Sequence, residues 1–239
     1  MAKGESIFRF KQFDVIHGNG SMKVGTDALL LGAWVNVDGC ERILDIGTGC
    51  GVIALILAQK NQDAYIDAID IDENSIEETR MNFEKSPWKE NLRAYHTNLQ
   101  SFNPLHKYNH IVSNPPFFTK GTSSPIEQRH SARHMDKLTF HELIEHSGRL
   151  LDEEGQLSLI IPVNQSHDCI EFALKSNLQL ARRLMFYPKK ESKPERCLLT
   201  FIKRNERLEV KEETLIHYNE LNEWTEDYKT LTKEFHINL

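Results

Sequence analysis

Leu44-Asp45-Ile46-Gly47-Thr48-Gly49-Cys50-Gly51 decides how this chain is read. The stretch lies where the apolar run Arg42 to Ile46 gives way to Gly51 to Gln59 (GVIALILAQ), which is apolar almost all round and so reads as a buried helix on a sheet. Glycines at alternate positions let the backbone turn tightly from strand to helix, and let a ligand approach the main chain with no Cβ in the way. Working outward, strand-length apolar runs keep alternating with helix-length stretches. Tyr65 to Ile71 is followed by a polar helix from Glu73 to Glu84, with Asp72 as its N-cap. Further strands are expected at Leu92 to His96, Tyr108 to Ser113 and Gln156 to Ile161, and helices at Thr139 to Leu151 and Asn164 to Ser176. The alternation predicts an α/β fold with a mostly parallel sheet covered by helices on both faces. Leu178 to Tyr187 and Cys197 to Lys203 are separated only by PKKESKPER, too short for a crossover helix, so they should close the sheet as an antiparallel hairpin.

The chain has 239 residues, 39% hydrophobic and 27% charged, which suits one folded domain with extensions and excludes a disordered chain. No apolar run approaches the roughly 18 residues of a membrane span. The N-terminus, Met1 to Phe13, carries Lys3, Glu5, Arg9 and Lys11 and lacks the apolar core of a signal peptide, so a cytoplasmic location is expected. Cys40, Cys50, Cys169 and Cys197 never form a C-x-x-C pair and predict neither zinc nor disulfides. His130 and His134 stand four apart but lack a third ligand, so no metal is expected. The formal charge of −6 excludes a generally basic protein, yet it is unevenly spread. Residues 205–239 carry −5, leaving −1 for residues 1–204, and within that body Arg182 to Arg204 is locally +6.

Two further signals concern chemistry. Asp70 ends the second strand, 23 residues after Gly47, where a carboxylate can accept hydrogen bonds from both hydroxyls of a ribose. Asp72 lies on the opposite side of the pleat and suits the helix cap instead. The spacing G-x-G-x-G is not the G-x-G-x-x-G that seats a pyrophosphate, so a nucleoside-containing ligand without phosphates fits better, of which S-adenosylmethionine is the common one. Ser113-Asn114-Pro115-Pro116-Phe117 follows a strand directly, at the edge where open α/β sheets bind ligands. An exocyclic amino group is a poor nucleophile because its lone pair is delocalised into the ring. The Asn114 side-chain oxygen and the Pro115 carbonyl can both accept its N–H hydrogens and aim the lone pair, while Phe117 stacks on the base.

The D-I-G-T-G-C-G loop, Asp70 and N-P-P-F together resemble the class I S-adenosylmethionine-dependent methyltransferases that act on amino nitrogens. Phe8 to Gln12, Gly20 to Trp34 (GSMKVGTDALLLGAW), Arg129 to His134 (RHSARH) and the basic Pro188 to Arg196 segment are similar to the bacterial tRNA1(Val) (adenine(37)-N6)-methyltransferases, over roughly residues 7–204. The resemblance implies a Rossmann-like fold with a seven-stranded, mostly parallel sheet ending in the antiparallel hairpin. It implies one methyltransferase domain over residues 1–204, with residues 1–40 covering the cofactor. It places Lys23, Gly25 and Thr26 near the methionine end of S-adenosylmethionine, beside Asp45, Gly47, Gly49 and Asn114. Asp70 and Ile71 would hold the ribose side. Asn98, where relatives often have aspartate, and Leu99 would border the adenine. Asn114, Pro115, Pro116 and Phe117 would form the catalytic segment, with Phe117 standing where many relatives have tyrosine.

The implied partner is tRNA at its anticodon loop, whose unpaired bases enter a pocket without opening a duplex. Lys189, Lys190, Lys193 and Arg196, helped by Lys120, Arg129 and Arg133, would hold RNA phosphates, and a solvated hairpin tip is the other reading of that basic loop. Trp34 and Trp88 suit packing. Trp224, Tyr228, Leu231 and Phe235, at spacings of three and four, predict an amphipathic helix in the acidic extension 205–239 that docks on the body. N-P-P-F also occurs in ribosomal RNA guanine-N2 methyltransferases, and N-P-P-Y relatives methylate a glutamine amide in release factors. The glutamine enzymes usually carry a helical N-terminal domain, for which 40 residues before the first strand are too few. A DNA adenine methyltransferase would need a target-recognition insert, for which this chain has no room. An inactive RNA-binding module would not be expected to keep Asn114, Pro115 and Asp70.

Overall fold

The computed structural model describes residues 6–18, 24–116, 138–204, 206 and 208–237. The N-terminal segment forms an antiparallel hairpin of β1 (Ser6–Arg9) and β2 (Asp14–His17). Helix α1 (Thr26–Trp34) leads into β3 (Arg42–Ile46), α2 (Val52–Lys60), β4 (Tyr65–Asp70), α3 (Glu73–Lys85), β5 (Leu92–His96) and β6 (Tyr108–Ser113). Then come α4 (Phe140–Leu150), β7 (Leu151–Pro162), α5 (Ser166–Lys175), β8 (Leu178–Lys189), β9 (Arg196–Lys203), β10 (Lys211–Tyr218) and α6 (Glu226–Thr232). Among the described residues, no helix is long and apolar enough to cross a membrane.

Strands β3 to β10 form one sheet in the order β10-β8-β9-β7-β6-β3-β4-β5. All run parallel except β9, which is antiparallel to β7 and to β8, so the expected hairpin is present. Four of the five residues of β3 are buried because both faces of the sheet are covered. On one face α1 and α2 pack Leu29 to Leu31 and Val52 to Ala58 against the sheet, and Phe10, Phe13 and Trp88 join the same cluster. On the other, Leu143 and Ile144 of α4 and Cys169 and Ala173 of α5 lie over Leu44, Ile111 and Leu159. Asp72 caps α3 by accepting the Ser75 amide, and Thr139 with Glu142 forms a capping box at α4.

The sheet has eight strands where seven were expected, and the extra one comes from the acidic tail. The tail supplies β10, which was not expected, and then the short helix α6 within the stretch expected to be helical. Charge explains the strand. β10 pairs in parallel with β8, and Glu212 and Glu213 ion-pair with Arg183 (2.7 Å) and Arg182 (3.0 Å). Arg182 also stacks over Trp34 at 4.4 Å, and the Trp34 indole N–H donates to Glu213 at 2.8 Å. The acidic tail and the basic hairpin are thus partly two halves of one cross-strand pairing. Tyr228 and Phe235 are buried against the α1 and α2 side of the core.

Candidate active site

Strand direction puts the parts of the site on one rim. β3, β4, β6 and β7 end there at Ile46, Asp70, Ser113 and Pro162. Chain order reverses between β3 and β6, the switch point at which open α/β sheets bind ligands. α2 starts at this rim after Gly51, and its last residue, Lys60, donates to the carbonyls of Gly32, Ala33 and Val35 at the end of α1. α1 therefore runs alongside α2 and begins at the rim too, with Gly25 as N-cap and Thr26 exposed in the first turn. β9 opens at Arg196 opposite Pro162, so the tip between β8 and β9 belongs to the same edge.

The glycine loop adopts three left-handed positions, φ +69° at Gly47, +58° at Gly49 and +80° at Gly51. Gly47 and Thr48 both donate their amides to the Ile69 carbonyl, which folds the loop onto β4. A Cβ at Gly51 would lie 2.9 Å from Phe83 Cε1 and 3.0 Å from Thr79 Cγ2, whereas one at Gly47 would meet nothing within 4 Å among the described residues. One glycine serves packing, and the other leaves open space beside the main chain. Gly51→Ala should therefore destabilise the fold by about 2–4 kcal/mol, from left-handed strain plus overpacking. Gly47→Ala should cost only the strain, about 1–2 kcal/mol, while filling the ligand side. A thermal melt combined with a cofactor-binding isotherm separates them: Gly51→Ala lowers Tm more, and Gly47→Ala loses more affinity.

Asp70 is held by two backbone amides. Gly49 N–H donates to Oδ2 at 2.9 Å and Asp72 N–H to Oδ1 at 3.0 Å, so each oxygen keeps a lone pair for a further donor. That is the geometry a pair of ribose hydroxyls requires. Ile71 is 52% exposed beside it, an apolar face in the open for a base, and His96 Nε2 lies 3.0 Å from the Ile71 carbonyl. Asp45 is fully buried; its Oδ2 accepts Thr48 Oγ1 at 2.7 Å, and its Oδ1 accepts no hydrogen bond among the described residues. Burial pushes its pKa up to about 7; hydrogen bonding from Thr48 and from the Ala54 amide opposes this, and the charge of Asp70 adds to it. An orphaned buried carboxylate oxygen, an unfilled cradle at Gly47 and a ready carboxylate at Asp70 fit a ligand with a ribose and a cationic N–H group.

Asn98 is a less open candidate: its Oδ1 accepts the Ser101 amide at 2.7 Å and caps a turn. Leu99 is buried in the core below α4. Ser113 Oγ donates to the Ile46 carbonyl at 2.8 Å and so pins the end of β6 to β3, directly before Asn114. Asn114 is half-buried, Pro115 buried and Pro116 exposed. Lys23, Phe117, Lys120, Arg129, His130, Arg133 and His134 lie outside the described residues. Among the described residues, no cluster of metal-ligating groups is present.

The hairpin tip sorts the basic residues. Arg182 and Arg183 are spent on β10, and Arg204 pairs with Glu154. Lys203 donates to the carbonyls of Gly148 and Leu151. Arg196 pairs with Asp27 of α1 through Nε at 2.8 Å. Lys189, Lys190 and Lys193 remain exposed without an ion pair among the described residues. Two supporting residues gave no sequence signal. Asn82 donates to the carbonyls of Cys50 and Ile16 and accepts the Ile16 amide, joining the N-terminal hairpin to the glycine loop. Thr79 donates to the Gly49 carbonyl at 2.7 Å.

The switch-point site on an α/β sheet with a reversed strand near its edge defines the class: residues 8–186 match the methyltransferase small domain family, to which the chain belongs. The fold is shared with the crystal structure of a predicted O-methyltransferase from Agrobacterium tumefaciens (TM-score 0.69, 19% identity, 87% of this chain and 96% of that one). It is also shared with the M. jannaschii tRNA m1G37 methyltransferase (TM-score 0.62, 13% identity, 86% of this chain and 59% of that one). Within the class, the chain is a member of the tRNA1(Val) (adenine(37)-N6)-methyltransferase family. It is 40% identical to the Bacteroides thetaiotaomicron protein over 98% of both chains. To the Aliivibrio fischeri protein it is 35% identical, over 97% of this chain and 98% of that one.

Proposed function

We propose that this protein methylates the exocyclic N6 of an adenine in tRNA, adenine 37 of the anticodon loop, using S-adenosylmethionine. One observation carries the reading: the Ser113 to Ile46 bond sets Asn114 and Pro115 beside the glycine loop, on the same rim as Asp70. When bound, the cofactor supplies an electrophilic methyl group on a positively charged sulfur. Asp70 is the residue to hold the ribose, Ile71 to flank the base and Asp45, through its unpartnered Oδ1, to face the cationic end, with Gly47 leaving room for close approach. Asn114 Oδ1 and the Pro115 carbonyl accept the two N6 hydrogens of the target adenine and turn its lone pair toward the methyl group. The buried Pro115 carbonyl is held in direction because the ring locks φ of Pro115 and the following Pro116 restricts its ψ. No strong base is needed before transfer, since the nitrogen becomes acidic only once it has gained the methyl group, and its proton then leaves to water. Orientation of this kind contributes roughly 7–11 kcal/mol in favourable cases.

The exposed Lys189, Lys190 and Lys193 lie on the rim about three strand spacings, roughly 14 Å, from β6, within reach of phosphates flanking a base held at Asn114. Neutralising all three should weaken tRNA binding and lower the slope of log K against log salt by about 0.7 for each phosphate that is no longer neutralised. Filter binding from 50 to 300 mM salt checks this, and an unchanged slope would move the RNA surface elsewhere. The deciding experiment incubates the protein with labelled S-adenosylmethionine and total tRNA or total rRNA, then maps the product. N6-methyladenosine at position 37 is expected; N2-methylguanosine in rRNA would overturn the assignment.

A further inference from the structure

We infer that Arg196 and Asp27 couple RNA docking to cofactor binding. The inference rests on the RNA reading of the Lys189 to Lys193 tip given above. Three placements carry it. Arg196 opens β9 and sits in register with Pro162 on one side and Phe186 on the other, at the base of the hairpin whose tip carries Lys189, Lys190 and Lys193. The tip is itself ordered: the Glu195 amide donates to the Phe186 carbonyl and the Ser192 amide to the Lys189 carbonyl, both at 3.0 Å. Its displacement therefore moves Arg196. Asp27 lies in the first turn of α1, immediately after Gly25 and Thr26 at the cofactor end of the rim.

The two residues are separated by 169 positions and joined at 2.8 Å, each side chain about three-quarters shielded from solvent. The Arg196 Nη1 also donates to its neighbour's carbonyl, Glu195 O, which fixes the guanidinium with respect to the tip. From Ala28 onward α1 is buried in the core, and at its far end Lys60 binds the Gly32, Ala33 and Val35 carbonyls and Glu213 binds Trp34. Its first turn is thus held across the rim by Arg196. RNA that shifts the tip should shift the turn bearing Gly25 and Thr26 through the Arg196–Asp27 pair, and cofactor bound there should shift the tip. By linkage the two effects are equal in size. Arg196 is accordingly assigned a positioning role through Asp27.

The test measures S-adenosylhomocysteine affinity by calorimetry, with and without saturating unmodified tRNA1(Val) transcript, in the intact protein and in R196Q, D27N, R196K and the exchange D27R/R196D. In the intact protein, tRNA should tighten S-adenosylhomocysteine binding by about 5-fold or more, the lower end of ordinary coupling factors. R196Q and D27N should bring the factor to near one, R196K should keep part of it, and the exchange should restore part. A merely structural role would lower Tm and both affinities but leave the factor unchanged. Coupling intact in R196Q and D27N, or no coupling in the unaltered protein, would overturn the inference while leaving the RNA reading standing. Failure of the unaltered protein to bind tRNA at all would overturn both.

Discussion

Asn114→Ala should lower kcat for methyl transfer by about 10²–10³-fold, the loss seen when a single preorganised polar group at a reacting centre is removed. Cofactor affinity should stay within a few-fold. The two expectations follow from where Asn114 stands. The ribose is assigned to Asp70 and the cationic end to Asp45, both held by partners that do not include Asn114: the Gly49 and Asp72 amides for one, Thr48 for the other. Asn114 instead continues β6 beyond Ser113, whose own bond to Ile46 survives the substitution. Truncation therefore removes an acceptor for the N6 hydrogens without loosening the segment. Single-turnover kinetics with saturating tRNA, paired with calorimetry on S-adenosylhomocysteine, separates the two quantities. Loss of binding with an unchanged melting temperature would assign Asn114 to the cofactor instead. Asn114→Asp tests the chemistry further, because a carboxylate keeps the acceptor and loses the neutral amide; activity should recover partly if hydrogen acceptance is what matters.

The parts of this molecule legible in its sequence are those where local pattern and global fold demand the same thing. GVIALILAQ is apolar all round, and α2 is buried from Val52 to Ala58 because it lies flat on the sheet. Asp72 has a cap's position and acts as one. Glycines at 47, 49 and 51 stand in the left-handed region, as their spacing suggests, although periodicity cannot tell the packing glycine from the ligand-facing one. That distinction depends on Phe83 and Thr79 arriving from α3, which is a tertiary matter.

Long-range pairing accounts for the features that local pattern does not show. Lys211 to Tyr218 mixes charge with β-branched residues, and nothing local makes it a strand; its partner is Arg182 and Arg183, some 30 positions earlier. The +6 count at the hairpin likewise conceals that most of its cations are spent internally, leaving three lysines at the tip. Arg196 adjoins those lysines in sequence, yet its side chain is paired with Asp27. Asn82 joins two segments that are 66 and 32 positions away, and no spacing rule reaches that far.

Asp45→Asn should stabilise the cofactor-free protein at pH 8 and weaken its cofactor binding. The carboxyl is fully buried with one oxygen unpaired, and burial raises its pKa from 3.8 to about 7. Between these values the folded protein holds a proton that the unfolded chain has released, so stability falls as pH rises through the window from about 4 to about 7. The full effect is on the order of 4 kcal/mol, at 1.36 kcal/mol per unit, and it is complete above pH 7. Asparagine carries no titratable proton and still offers Thr48 an acceptor, so the variant should show little of this slope. Urea unfolding at pH 5 and pH 8 checks it by difference: relative to Asp45→Asn, the intact protein should lose stability across the interval, because buried His110, whose pKa burial lowers to about 3, adds the same opposing slope to both. A parallel slope in both proteins would mean that Asp45 is ionised throughout. A buried carboxylate that destabilises the empty fold at neutral pH has a functional reason to persist if its ligand is a cation. Cofactor binding at pH 7 should therefore release a fraction of a proton from Asp45. Calorimetry in two buffers of different ionisation enthalpy should register that release in the intact protein and lose it in Asp45→Asn.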